Sequence, residues 1–113
     1  MELSAKRCIP CEGGVLPLDA DRVGELLHDV PGWQVSEDRS TLSKGFRFAD
    51  FAGSMGFVIQ MAAIAEEEGH HPDFCVRYDR LEIQLSTHAI HGLSENDFIM
   101  AAKLEKLASA NQR

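Results

Sequence analysis

The sequence predicts an α+β fold: a two-layer sandwich with a four-stranded antiparallel sheet and three helices packed on one face, in the order α-β-β-α-β-β-α. Three observations predict it. Residues 33–48 and 73–88 each alternate apolar and polar side chains about a central turn, the period of half-buried strands. Three other stretches repeat apolar residues every three or four positions, as helices with one buried face do. The strands also come in adjacent pairs, so hairpins make them antiparallel, and the helices are left to cover one sheet face. The 113 residues suit one domain. Residues 1–16 read as an irregular N-terminal arm and residues 17–113 as the folded unit.

The first helix follows the arm. Asp19 is its N-cap, and Leu18 before it can staple onto Val23. Val23, Leu26, Leu27 and Val30 share one stripe, and Pro31-Gly32 ends the helix. His28 lies off the stripe and reads as a solvated surface residue. Trp33 to Phe48 is the first hairpin, with Glu37 to Ser40 as its turn. On its return strand, Thr41 to Phe48, residues Leu42, Lys44, Phe46 and Phe48 share a side, while Gly45 weakens the interior.

The second helix starts at Asp50. Phe51, Met55, Val58, Ile59, Ala62 and Ala63 keep helical spacing. Gly53 and Gly56 would permit close approach by another backbone, at a cost of about 1 kcal/mol each against Ala. Glu66-Glu67-Glu68 closes the helix where its dipole disfavours negative charge. That run is either a solvated acidic turn or a sign that Glu66 has a function. Gly69 is the C-cap.

The second hairpin places Phe74, Val76 and Tyr78 on one side of its first strand and turns at Asp79-Arg80. Its return strand carries Leu81, Ile83, Leu85 and Thr87 on one side. A return of about eight residues travels back as far as the first strand advanced. His88 therefore arrives beside the His70-His71-Pro72 turn. Ser94 caps the third helix, with Asp97 three residues on in a short capping box, and Met100, Leu104, Leu107 and Ala108 form its apolar side. The uncovered sheet face and the sheet edges favour self-association.

Imidazole gives and takes protons near neutral pH, so two or three around one substrate can act as acid and base together. A dehydration needs both. The competing readings are a loop ornament at His70-His71 and a backbone cap at His88. A metal reading uses the His88/His91 spacing, or Cys8 and Cys11 of the CxxC in the arm together with a histidine pair. The CxxC lacks a second pair and a preceding strand, so two thiols in a terminal arm is the plainer reading.

A net charge of −7, from 11 basic and 18 acidic residues, disfavours binding to nucleic acid. No apolar run has the length of a membrane span. Three cysteines and the lack of an apolar leader suggest a reducing cytoplasm.

Ala65-Glu66, His70-His71-Pro72, Ser86-Thr87-His88 and Gly92-Leu93-Ser94-Glu95 with Asp97 together resemble the pterin-4a-carbinolamine dehydratase family, and the lead CIPCEGGVLPL looks like its bacterial members. The resemblance runs from about Leu18 to Leu107. It implies the same α+β sandwich, assembled into homodimers or homotetramers through sheet edges. It implies loss of water from 4a-hydroxytetrahydropterin to give quinonoid dihydropterin, recycling the pterin cofactor of an aromatic amino acid hydroxylase. The pterin is then the substrate, and no cofactor or metal is needed. Carried over by motif, His70, His71 and His88 match the catalytic histidines. Glu66, Thr87 and Asp97 match positions lining the pocket, and Pro72, Phe74 and Ser86 join them as expected substrate contacts. Animal members also bind a transcription factor, which leaves a non-catalytic regulatory module as an alternative. Gly69 and Phe74 depart from the animal pattern, where Asp and Trp are common.

Overall fold

The computed structural model describes residues 2–9 and 16–111. The helices are α1 (Ala20–Leu27), α2 (Phe51–Glu68) and α3 (Glu95–Asn111). The strands are β1 (Gln34–Val35), β2 (Leu42–Arg47), β3 (Asp73–Arg77) and β4 (Arg80–Leu85). They form one antiparallel sheet in the order β1-β2-β4-β3. The predicted element order and layer arrangement are those observed.

Polar caps set the helix starts. The side chain of Asp19 accepts from the Arg22 N–H at 2.8 Å, and that of Asp50 accepts from the Gly53 N–H at 2.8 Å. Each capped N–H belongs to the first turn, which has no partner within its own helix. Leu81, Ile83 and Leu85 of β4 and Leu42 of β2 are fully buried beneath α2 and α3 side chains that include Phe57, Met61, Phe98, Met100 and Leu104. The opposite face carries Ser43, Gly45, Glu82 and Gln84, which are polar or small.

Four sequence expectations are corrected. The buried stripe of α2 is Ser54, Phe57, Val58, Met61 and Ala65. Phe51 and Ile59 are 51% and 68% exposed, and Ala62 and Ala63 are exposed as well. A helix apolar on two sides satisfies the period from either side, so spacing alone did not choose the inner one. No backbone approaches Gly56; a Cβ there would meet nothing within 4 Å.

The second hairpin turns at Tyr78-Asp79, one residue early, with Arg77 opposite Arg80 and Tyr78 at φ 53°. The turn carbonyls tie down the start of α2. The Ser54 hydroxyl donates to Tyr78 O at 2.7 Å, and the Phe48 N–H donates to Asp79 O at 2.8 Å. Pairing moves by two residues, so every side chain keeps its face. Phe74 is nevertheless 49% exposed, because β3 is an outer strand with one neighbour, and Tyr78 is 65% exposed because it lies in the turn beyond β3.

β4 ends at Leu85, short of the predicted His88. Thr87 instead forms an isolated bridge to Gly92, closing a loop in which His88–Ile90 is a single 3-10 turn. A Cβ on Gly92 would fall 2.7 Å from Pro17, so only glycine fits where Pro17 crosses this loop.

Candidate functional site

Two local devices aim the histidines. Gly69 ends α2 at φ 66°, a left-handed backbone that glycine adopts without strain. The chain then reverses, and the His70 N–H donates to Ala65 O at 3.2 Å. From the other side, the pairing of Asp73 with Gln84 returns the chain so that the residues after Leu85 lie beside this turn. His70, His71, Ser86, Thr87 and His88 line one cleft of about 330 Å³.

Asp97 lies under the cleft floor, fully buried, on the first turn of α3. Its Oδ1 is 2.6 Å from His70 Nε2. Its Oδ2 accepts the Thr87 hydroxyl at 2.8 Å and the Ser94 N–H at 3.0 Å. The Ser94 hydroxyl is 2.7 Å from Thr87 Oγ1; since the Thr87 proton goes to Asp97, the Ser94 hydroxyl donates. The expected capping box is thus half made: Asp97 reaches back to the Ser94 N–H, while the Ser94 side chain is spent on Thr87. A carboxylate is an acceptor only, so in the neutral ring of His70 the proton sits on Nε2 and the lone pair on Nδ1.

His71 Nε2 is 2.5 Å from Glu66 Oε2 in an exposed pair at the rim. His88 is exposed, and its ring has no hydrogen-bond partner among the described residues. Pro72 is partly buried and Phe74 half exposed; neither lines the cleft, nor does Glu66, which touches it only through His71. Asp97 is sealed from the cleft and acts on it through His70 and Thr87.

Sequence reasoning missed the other wall. Cys8, Ile9, Glu68 and Asn96 line the same cleft. The acidic end of α2 is not simply solvated, because the Glu68 side chain is 2% exposed. Its Oε1 accepts the Cys8 N–H at 2.8 Å, and its Oε2 faces Arg7 at 3.1 Å and Lys103 at 3.7 Å. Burial raises the Glu68 pKa, but the Cys8 N–H, Lys103 and Arg7 outweigh it and hold the group below its ordinary value. A depressed carboxyl stabilises the fold above its unfolded pKa and loses that contribution as pH falls through the folded value. Glu68→Gln should therefore lower Tm at pH 7 and bring it closer to wild type as the pH falls below about 4.5. Thermal melts from pH 7 to 3 check this; a difference in Tm that does not narrow in acid would contradict it.

The Cys8 thiol is pushed up to about 12, first by burial and then by Glu68, which keeps it protonated at neutral pH. Cys11 lies outside the described residues. Among the described residues no three His, Cys, Asp or Glu side chains stand together as a metal site. His88 and His91 share a smaller pocket with Ser40 and Thr41 on the far side of the loop. No helix of the described residues is long and apolar enough to cross a membrane.

An α+β sandwich whose cleft holds imidazoles, one of them anchored on a buried carboxylate, has the parts for proton transfer. Residues 16–107 match the family model "Pterin 4 alpha carbinolamine dehydratase". A Stenotrophomonas maltophilia protein named "Putative pterin-4-alpha-carbinolamine dehydratase" is 49% identical over 93% of this chain and 90% of its own. The structure of a Brucella melitensis transcriptional coactivator/pterin dehydratase superposes with a TM-score of 0.78 at 35% identity, covering 81% of this chain and 98% of that one. A pterin dehydratase-like protein identified as a RuBisCO assembly factor in the alpha-carboxysome superposes with a TM-score of 0.60 at 27% identity, covering 68% and 89%. The chain belongs to the pterin-4a-carbinolamine dehydratase family.

Proposed function

We propose that the chain dehydrates 4a-hydroxytetrahydrobiopterin to quinonoid dihydropterin and water. The observation that carries this reading is the cleft shared by His70, His71 and His88, with His70 hydrogen-bonded to buried Asp97. In the reaction the C4a–O bond breaks and the departing hydroxyl takes a proton, leaving as water. N5 loses its proton, and the N–H electron pair forms the N5=C4a bond. One imidazole accepts and one imidazolium donates, so the protein returns to its starting protonation after exchange between them or with solvent.

His70 suits the base at N5, because Asp97 fixes its Nε2–H, leaves Nδ1 open, and stabilises the cation that forms. His88 suits the acid at the hydroxyl, because its ring is exposed and free to load a proton from solvent. His71, tethered to Glu66 at the rim, positions the pterin or assists as base. Ser86 and Thr87 line the same cleft. Proton transfer of this kind needs no cofactor.

Stopped-flow decay of synthetic carbinolamine tests the reading. Added protein should accelerate decay in proportion to its concentration. An unchanged rate would reject the enzyme and favour a binding role, as in the relative identified as an assembly factor. The same reading places the protein in the cytoplasm, linked to an aromatic amino acid hydroxylase. It includes a homodimer or homotetramer, supported by the open β3 edge and by exposed Phe51 and Ile59 on the outer side of α2.

A further inference from the structure

The N-terminal arm does not simply pass the cleft; it is fastened there by both backbone polar groups of one residue. The Asn96 side chain accepts the Ile9 N–H on Oδ1 at 2.9 Å and donates from Nδ2 to Ile9 O at 2.6 Å. One residue earlier, the Cys8 N–H is held by Glu68 at 2.8 Å, and the Cys8 thiol reaches Asn96 O at 3.7 Å. Further back, Leu3 is buried in the core and Lys103 donates to Ser4 O at 3.0 Å. Asn96 is itself 7% exposed and precedes Asp97, so one turn of α3 fixes the strap through one residue and His70 through the next. Yet Ile9, whose backbone is so anchored, leaves its side chain 71% exposed while it lines the cleft. An apolar side chain left in water beside the cleft gains little for the fold, although its backbone is held in place. It is suited to gain contact area when an apolar or aromatic surface enters.

We propose that Ile9 is a substrate-binding residue, the apolar wall against which the pterin packs opposite the imidazoles, and that Asn96 is the residue that positions it. This rests on the dehydratase reading. It assigns binding to the arm and proton transfer to the histidines, so the two should separate in KM and kcat.

Ile9→Ala removes the wall and leaves every backbone clamp in place, so the fold is untouched. Its KM should rise roughly fivefold to tenfold, tenfold being about 1.4 kcal/mol, with kcat near wild type. Its Kd for biopterin, read by pterin fluorescence, should rise in parallel. Asn96→Ala should weaken binding similarly by releasing the strap. Native-state trypsin should then cleave after Arg7 faster than in wild type, a readout independent of activity. Wild-type KM and Kd in Ile9→Ala would overturn the proposal while leaving the dehydratase reading standing. A wild-type chain that fails to turn over carbinolamine would sink both.

Discussion

His88→Ala should leave a folded protein that dehydrates the carbinolamine about 10² to 10⁴ times more slowly than wild type, the range for losing one general acid or base. Its side chain is exposed, so stability should change by no more than about 0.5 kcal/mol. His70→Ala should lose rate to a similar extent but pay twice. Removing its ring leaves Asp97 Oδ1 without its partner in a fully buried position, a further cost of about 1–3 kcal/mol of stability. His70→Gln separates the two losses. Its carboxamide can donate to Asp97 and restore part of the stability, yet an amide cannot shuttle a proton at neutral pH, so the rate stays low. Stopped-flow turnover and thermal melts on the three variants decide the matter. Wild-type turnover in His88→Ala and His70→Gln would remove these two histidines from the chemistry.

Much of this site could be read from the chain because hairpin geometry is nearly arithmetic. A strand pair of known length must bring its ends together, so a turn near Asp79 returns His88 toward His70 and His71. The turn falls one residue early and β4 stops at Leu85, yet the conclusion survives because the pairing of Asp73 with Gln84 still delivers the residues after Leu85 beside the His70-His71 turn. The strap could not be read in the same way. Its positions are fixed by contacts of Cys8 and Ile9 with residues 60 and 87 positions away, and no periodicity encodes such pairings. Glu68 illustrates the loss. In sequence it is the third of three acidic residues at the wrong end of a helix dipole; in space it is enclosed by Arg7, Lys103 and the Cys8 N–H. The signal that could have found it was that mismatch with the dipole, which the sequence reading attached to Glu66 instead. The two-sided apolar pattern of α2 failed for a different reason. Phe51 and Ile59 carry the same periodic signal as Phe57 and Met61, and only the packed sheet distinguishes the face it covers.

Asp97 is where fold and chemistry meet, and two substitutions there should separate them. Asp97→Ala removes the acceptor shared by the His70 ring, the Thr87 hydroxyl and the Ser94 N–H. Each donor left buried without its acceptor costs about 1–3 kcal/mol, and together they are a large share of the roughly 5–15 kcal/mol that holds a domain together. Tm should fall sharply. Asp97→Asn keeps the shape. Its carbonyl oxygen must face the two donors on the Oδ2 side, Thr87 and Ser94, which turns the NH₂ toward His70 Nε2. Nε2 then has to accept, so the His70 proton moves to Nδ1 and the lone pair that would receive the substrate proton is lost. Stability should fall by much less than in Asp97→Ala, while turnover falls by about 10² or more. Long-range ¹H–¹⁵N correlation spectra of the imidazoles read the switch directly: His70 protonated at Nε2 in wild type and at Nδ1 in Asp97→Asn. Full turnover with the tautomer reversed would show that Asp97 only braces the fold. An Nδ1–H tautomer in wild type would mean that the carboxyl does not orient this ring for catalysis.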